Sequence, residues 1–243
     1  MSSLKTEESK QRKANEKMLD PVITILDFTT AAIPYATAEC HGIDPRRPGL
    51  VNRVIKEKSH YAVLRHGFAS VRISKISRSC GRQLLRKAHA DYLEKSQRYC
   101  DIRAAAFIVP KAIEILSHHP EDSEHEKLHD KVMAHLAETR KLYAELRDIG
   151  VLKEDARDIM PEMTETSMVM SGNMQMWWDF FTLRIDSKAQ KHIRMIAIAI
   201  LYAFAKLNDI FKLHPKYEES VCSPKVDCGV ITISSDKIPD NDH

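Results

Sequence analysis

The residues from Phe68 to Tyr99, FASVRISKISRSCGRQLLRKAHADYLEKSQRY, change their periodicity twice, and this constrains the fold more than any other stretch of the chain. From Phe68 to Lys75, Ala69, Val71 and Ile73 alternate with Ser70, Arg72 and Ser74, the pattern of a half-buried strand. From Ser77 the spacing turns helical. Ile76, Cys80 and Leu84 stack, which places Arg82, Gln83 and Arg86 near one end. Beyond Ala90 the period is two again: an extended segment would aim Glu94, Ser96 and Arg98 the same way. The stretch carries eight arginines or lysines against two acids, Asp91 and Glu94. A strand, a helix and an extended return therefore focus cations, hydroxyls and an amide on one region.

Any basic surface is local, because the net charge of the 243 residues is only +3, too small to argue for nucleic-acid binding. With 43% hydrophobic and 29% charged residues, the chain reads as a globular protein with a substantial core. Cys40, Cys80, Cys100, Cys222 and Cys228 form no CxxC pair, so no zinc ribbon or thioredoxin-like site is expected and the thiols are expected to be reduced. His118, His119, His125, His129 and His135 face no arranged acid and read as a polar loop and helix start, so no metal site is expected. Residues 1–17 read as a polar leader without an apolar signal core. The apolar run Met195 to Ala205 is about half of the roughly 20 residues that span a bilayer. A cytoplasmic protein without a membrane partner is the expectation.

Along the chain, Val22 to Phe28 is a β-branched run expected to be a strand, and Thr30 to Cys40 has helical spacing that ends at His41-Gly42. Pro45 and Pro48 bracket a loop before a helix from Asn52 to Lys58. Ser123 and Glu126 form a capping box for a helix through Ile149, with Leu128, Val132, Leu136, Leu142 and Leu146 as its apolar stripe and Gly150 as its stop. Ala156 to Arg184 is rich in methionine and aromatics and reads as core, although it embeds Arg157, Asn173, Asp179 and Arg184, and buried arginines need partners. One long helix from Ser187 to Leu213 is expected, with Ile193, Ile196, Ile200, Phe204 and Leu207 on one face. Residues 216–243 read as a loosely ordered tail with one short strand at Val230 to Ile233.

The stretch Arg86 to Tyr99, RKAHADYLEKSQRY, resembles the flavin-dependent thymidylate synthase signature RHRxxSxNExSxRY, with matches at Arg86, Glu94, Ser96, Arg98 and Tyr99. His66 and Gln83 stand at the family's spacing before Arg86. Downstream, Ala156-Arg157, Met160-Pro161, Gly172-Asn173, Trp177, Phe181, Leu183-Arg184, Ser187 and Ala189-Gln190 follow the family's order. The resemblance covers residues 18–215, which would form the catalytic domain. It implies an α+β fold with a twisted, mainly antiparallel sheet and flanking helices, assembled as a homotetramer whose active sites draw on several subunits.

The implied activity is transfer of a methylene from methylenetetrahydrofolate to C5 of dUMP, with reduction by FAD and NADPH as the reductant that recharges it. A nucleotide dianion suits arginine forks completed by hydroxyl and amide donors. On this resemblance Gln83, Ser96 and Arg98 form the phosphate side, and Arg86, Arg157 and Arg184 the remaining nucleotide contacts. Arg184 and Arg157 carry the catalytic role, and Glu94 orients an arginine or a water. His66, Arg86, Lys87, Glu94, Asn173 and Asp179 stand at flavin-binding positions.

The chain departs from the pattern at Lys87 for His, Ala88 for Arg, Asp91 for Ser, Leu93 for Asn, Arg65 for Glu and Lys188 for His, while Asp179 stands where Asn is frequent. The nucleotide half is better kept than the flavin half. Three readings stay open: methylation of dUMP, the same chemistry on another acceptor such as dCMP or with a hydroxymethyl product, and a nucleotide-binding homologue without flavin.

Overall fold

The computed structural model describes residues 21–118, 123–218 and 231–233. Its strands are β1 (Val22–Thr29), β2 (Phe68–Ser77), β3 (Asp91–Glu94), β4 (Glu165–Asn173) and β5 (Ile231–Ile233). They form one sheet in the order β3-β4-β2-β1-β5. β1 and β2 pair antiparallel with Ile23 opposite Ile73 and Ile25 opposite Val71, and β5 joins β1 in parallel. Flanking the strands in sequence are the helices α1 (Ala32–His41), α2 (Leu50–Lys58), α3 (Arg78–Leu84), α4 (Ser123–Asp148), α5 (Met174–Arg184) and α6 (Lys191–Leu207). This is the expected α+β fold, with four antiparallel strands and the parallel addition of β5. The polar leader lies outside the described residues, and so does most of the tail, apart from residues 216–218 and β5.

The described residues fall into two compact units. One takes 75–82, 94–118 and 123–167, the other 21–74, 83–93, 168–218 and β5. In the first, α4 supplies the core wall. Tyr143 is fully buried in a cluster with Ile102 and Ala156, and Leu136 packs with Phe107 and Val109. Arg140 lies 4.8 Å over the Phe107 ring. The expected stripe is corrected at two positions, since Leu128 and Leu142 are exposed. Leu142 is six residues from Leu136, whereas Tyr143, seven away, returns to the same helix face. The helix stops as expected, with Gly150 at a φ of 93° that favours glycine. The Ser123 side chain of the expected capping box, like His119, lies outside the described atoms.

In the second unit, Ala69, Val71 and Ile73 are fully buried on β2, as their alternation requires. Trp177 and Phe181 of α5 meet Phe204 of α6, and Phe181 and Phe204 meet Phe211, with T-shaped rings at Trp177–Phe204 (5.4 Å) and Phe204–Phe211 (5.1 Å). The expected single helix from Ser187 to Leu213 is corrected at both ends. Asp186 accepts the Lys188 N–H through Oδ1 at 2.9 Å, making a turn that delays the helix to Lys191. At the other end Asn208 is extended (φ −152°). Its Oδ1 accepts the Ile210 N–H at 2.9 Å and its Nδ2 donates to Thr30 Oγ1 at 2.8 Å, so the chain continues as a 3-10 turn over Asp209–Leu213.

His214 closes this core at 2% exposure. Its Nδ1 accepts the Lys216 N–H at 3.0 Å, which leaves Nε2–H to donate to the Trp178 carbonyl at 3.1 Å, so the ring is held neutral. Burial pushes the imidazole from 6.5 down to about 4. The unfolded chain therefore takes up a proton that the folded chain refuses. The stability is fully present above 6.5 and is lost as pH falls toward 4, by on the order of 3 kcal/mol for this group. His192, also lowered by burial, acts in the same sense. Urea unfolding should show a lower midpoint at pH 5 than at pH 7, with a shallower dependence in His214→Gln.

Candidate functional site

In the second unit, the sequence-predicted residues are strung along α5. Asn173 sits at its N-terminal cap, Asp179 in its middle and Arg184 in its last turn, over about 16 Å at 1.5 Å per residue. Asn173 Oδ1 accepts the Met176 N–H at 2.8 Å, so it caps the helix and leaves its amide nitrogen as the group it can offer a ligand. The Gly67 carbonyl accepts the Met174 N–H at 3.0 Å, which ties exposed His66 to the same end of the helix. A Cβ on Gly67 would lie 2.9 Å from the Thr29 carbonyl, so the approach needs glycine.

Lys87 lies 3.9 Å from Asp179, two of the departures from the family pattern forming one ion pair. The Lys87 side chain is 14% exposed and that of Asp179 53%. Arg86 is exposed. At the far end of α5, Arg184 Nη2 donates to the Gln83 carbonyl at 3.0 Å, and the Gln83 side-chain amide donates to Gln190 Oε1. Arg184 Nε is buried without a partner among the described residues. Tyr92 donates to the Lys87 carbonyl at 2.8 Å, and burial pushes its phenol up to about 12 against the pull of the Arg184 charge. Arg65, the departure before His66, donates to Gln175 Oε1 at 2.7 Å.

The first unit gathers the rest. Glu94 Oε1 accepts from Thr166 Oγ1 at 2.9 Å and stands 3.7 Å from Arg78. Arg98 Nε donates to Glu154 Oε2 at 2.8 Å, and the carboxylate holds its guanidinium still more firmly protonated. Arg157 Nε donates to the Glu154 carbonyl at 3.1 Å, so one residue steadies both arginines.

The expected extended aim of Glu94, Ser96 and Arg98 is corrected. β3 ends at Glu94, and a turn follows in which Ser96 Oγ accepts the Arg98 N–H at 3.2 Å and the Ser96 carbonyl accepts the Cys100 N–H at 3.0 Å. Serine's competition for local backbone donors explains the bend.

The sequence reading passed over Arg78, Glu154, Gln190 and Tyr92 as site residues. Arg78 stood in the basic run and Gln190 in the family's terminal Ala-Gln pair. Glu154 had only its spacing of three from Arg157 as a signal. Among the described residues no group of three or more His, Cys, Asp or Glu is placed to hold a metal, and no helix is long and apolar enough to cross a membrane.

A family model described as "Thymidylate synthase complementing protein" matches residues 5–208. The chain is 34% identical over 155 residues to a flavin-dependent thymidylate synthase of Pyrococcus furiosus, covering 62% of this chain and 60% of that one. It is 33% identical over 167 residues to one of Mycobacteroides abscessus, covering 64% of each chain. With one of Mycolicibacterium vanbaalenii it shares 30% identity over 197 residues, 74% of this chain and 77% of that one. The Pyrococcus furiosus match thus spans less than two thirds of that relative's length. The motifs spread from His66 to Gln190 lie inside the matched residues, and the chain belongs to the thymidylate synthase complementing protein family.

Proposed function

We propose that the chain is a flavin-dependent thymidylate synthase that transfers a one-carbon unit from methylenetetrahydrofolate to C5 of dUMP and reduces it, giving dTMP. The observation that carries this reading is the half-buried Arg184. It is tethered through one nitrogen to Gln83, while its buried Nε has no partner among the described residues. A buried donor of this kind calls for an acceptor, and a pyrimidine carbonyl is one.

In this reading Arg184 polarises the pyrimidine and stabilises the negative charge that develops as C5 and C6 react. Gln83, Ser96 and Arg98 take the phosphate. Glu154 engages Arg98 through Nε, and in this reading the two terminal nitrogens of Arg98 donate to phosphate oxygens. Arg86 and Arg157 complete the nucleotide contacts, and Glu94, beside Arg78, orients an arginine or a water.

The residues at the flavin positions fit an anionic cofactor. Arg86, Lys87 and His66 supply cations or donors and Asn173 an amide nitrogen, with Glu94 and Asp179 as the acceptors among them. Bound FAD would supply the hydride that converts the transferred methylene to methyl, and NADPH would recharge it. The family resemblance supports a homotetramer in which more than one copy serves each nucleotide.

Anaerobic incubation with dUMP or dCMP, methylenetetrahydrofolate, FAD and NADPH tests this directly by product mass. dTMP from dUMP, made by a yellow protein with a flavin absorbance band, is the expected result. Protein that stays colourless after soaking in FAD would sink the reading, and a methylated or hydroxymethylated cytosine product would move the acceptor.

A further inference from the structure

We propose that Gln190 is a positioning residue for the phosphate end of the nucleotide, acting through Gln83; the inference rests on the function proposed above. Gln190 is the residue that immediately precedes α6, where the first N–H groups of a helix lack intrahelical acceptors. Ser, Asp and Asn serve that position well, and Gln is not among the favoured caps. Its side chain makes no capping bond. Instead its Oε1 accepts a hydrogen bond from Gln83 Nε2, from a residue 107 positions away in sequence.

Gln83 is gripped a second time through its carbonyl, which accepts from Arg184 Nη2 at 3.0 Å. The two gripping residues sit at the ends of one short connection, because Arg184 ends α5 and Gln190 precedes α6. That connection is itself fixed. Asp186 Oδ1 accepts the Lys188 N–H at 2.9 Å and the Asp186 carbonyl accepts the Ala189 N–H at 3.0 Å.

A carboxamide nitrogen has two N–H groups. With one given to Gln190, the Gln83 amide cannot spin about its last torsion, so its second N–H keeps a set direction for a phosphate oxygen. Gln190 thus trades a helix cap for a fixed amide. Pre-ordering of this kind strengthens binding by removing the cost of immobilising a side chain on contact.

Gln190→Ser separates this role from a structural one, because serine is a good cap. The melting temperature of the full chain should stay level or rise, while dUMP affinity, measured by calorimetry, should fall about five- to tenfold, the worth of one hydrogen bond. Deoxyuridine, which lacks the phosphate, should bind to the variant as it does to the original chain. In glutamine-labelled protein without nucleotide, the Gln83 side-chain amide proton given to Gln190 should lose its protection from exchange in Gln190→Ser. It should keep that protection in Gln190→Glu, which retains an acceptor.

Unchanged dUMP affinity, an equal loss for deoxyuridine, or a Gln83 amide signal indifferent to Gln190→Ser would each overturn the proposal. An original chain that binds no dUMP would overturn the functional reading instead, and the amide signal would still decide on Gln190.

Discussion

Arg184→Ala should lower turnover by at least about a hundredfold to a thousandfold, the scale on which loss of a single charge-stabilising donor acts in a preorganised site. The same change should cost the fold little. The side chain gives up one bond to the Gln83 carbonyl, worth about 1 kcal/mol, and it removes at the same time the buried Nε that has no partner among the described residues. Tritium release from C5-labelled dUMP reads the chemistry, and thermal unfolding reads the fold. Arg184→Lys sharpens the test. Lysine keeps the charge but not the planar fork, so activity should stay well below that of the original chain if the geometry of the donors matters. Normal tritium release in Arg184→Ala would refute the assignment, whatever the melting temperature.

How much of this was legible in the sequence depended on whether the signal was local. The alternation in Phe68 to Lys75 and the β-branched run at Val22 to Phe28 became β2 and β1, because one buried face per strand writes itself directly into the order of residues. The same alternation lay unread in Thr166, Met168 and Met170, all buried on β4. There the abundance of methionine and aromatics around it suggested a core without a period. The break at Asn208 was hidden for another reason: an asparagine in an apolar helix pattern stops it only when its side chain finds partners, and one of these is Thr30, far away in the chain.

The candidate site followed the same rule. Residue types could be read from the spacing, but the pairings could not. Arg98 bonds Glu154 rather than its near neighbour Glu94, and Lys87 meets Asp179 across 92 positions of sequence. The two departures that looked like separate losses in the flavin half are complementary charges. A sequence read one position at a time cannot show that pairing.

The largest effect on stability is expected from Trp177→Ala. Trp177 is fully buried on α5, with the Phe180, Phe181 and Phe204 rings at 5.7, 6.2 and 5.4 Å. Its indole N–H donates to the Ala69 carbonyl at 3.2 Å, which fastens α5 to β2. Truncation to alanine removes the ring and leaves a cavity, a combination that costs about 3–5 kcal/mol, and it removes the bond to the Ala69 carbonyl. Against a typical total of about 5–15 kcal/mol, that is enough to bring the chain close to unfolding. Urea unfolding followed by far-ultraviolet circular dichroism measures the loss without relying on tryptophan emission.

Leu183→Ala is the control. It sits on the same helix but is 54% exposed, and the change should stay within about 0.5 kcal/mol. Trp177→Phe should fall between the two, because it keeps much of the ring packing and loses the bond to Ala69. If Trp177→Ala cost no more than Leu183→Ala, the aromatic cluster would not be what seats α5. The placement of Asn173 and Arg184 at the two ends of that helix would then need another cause.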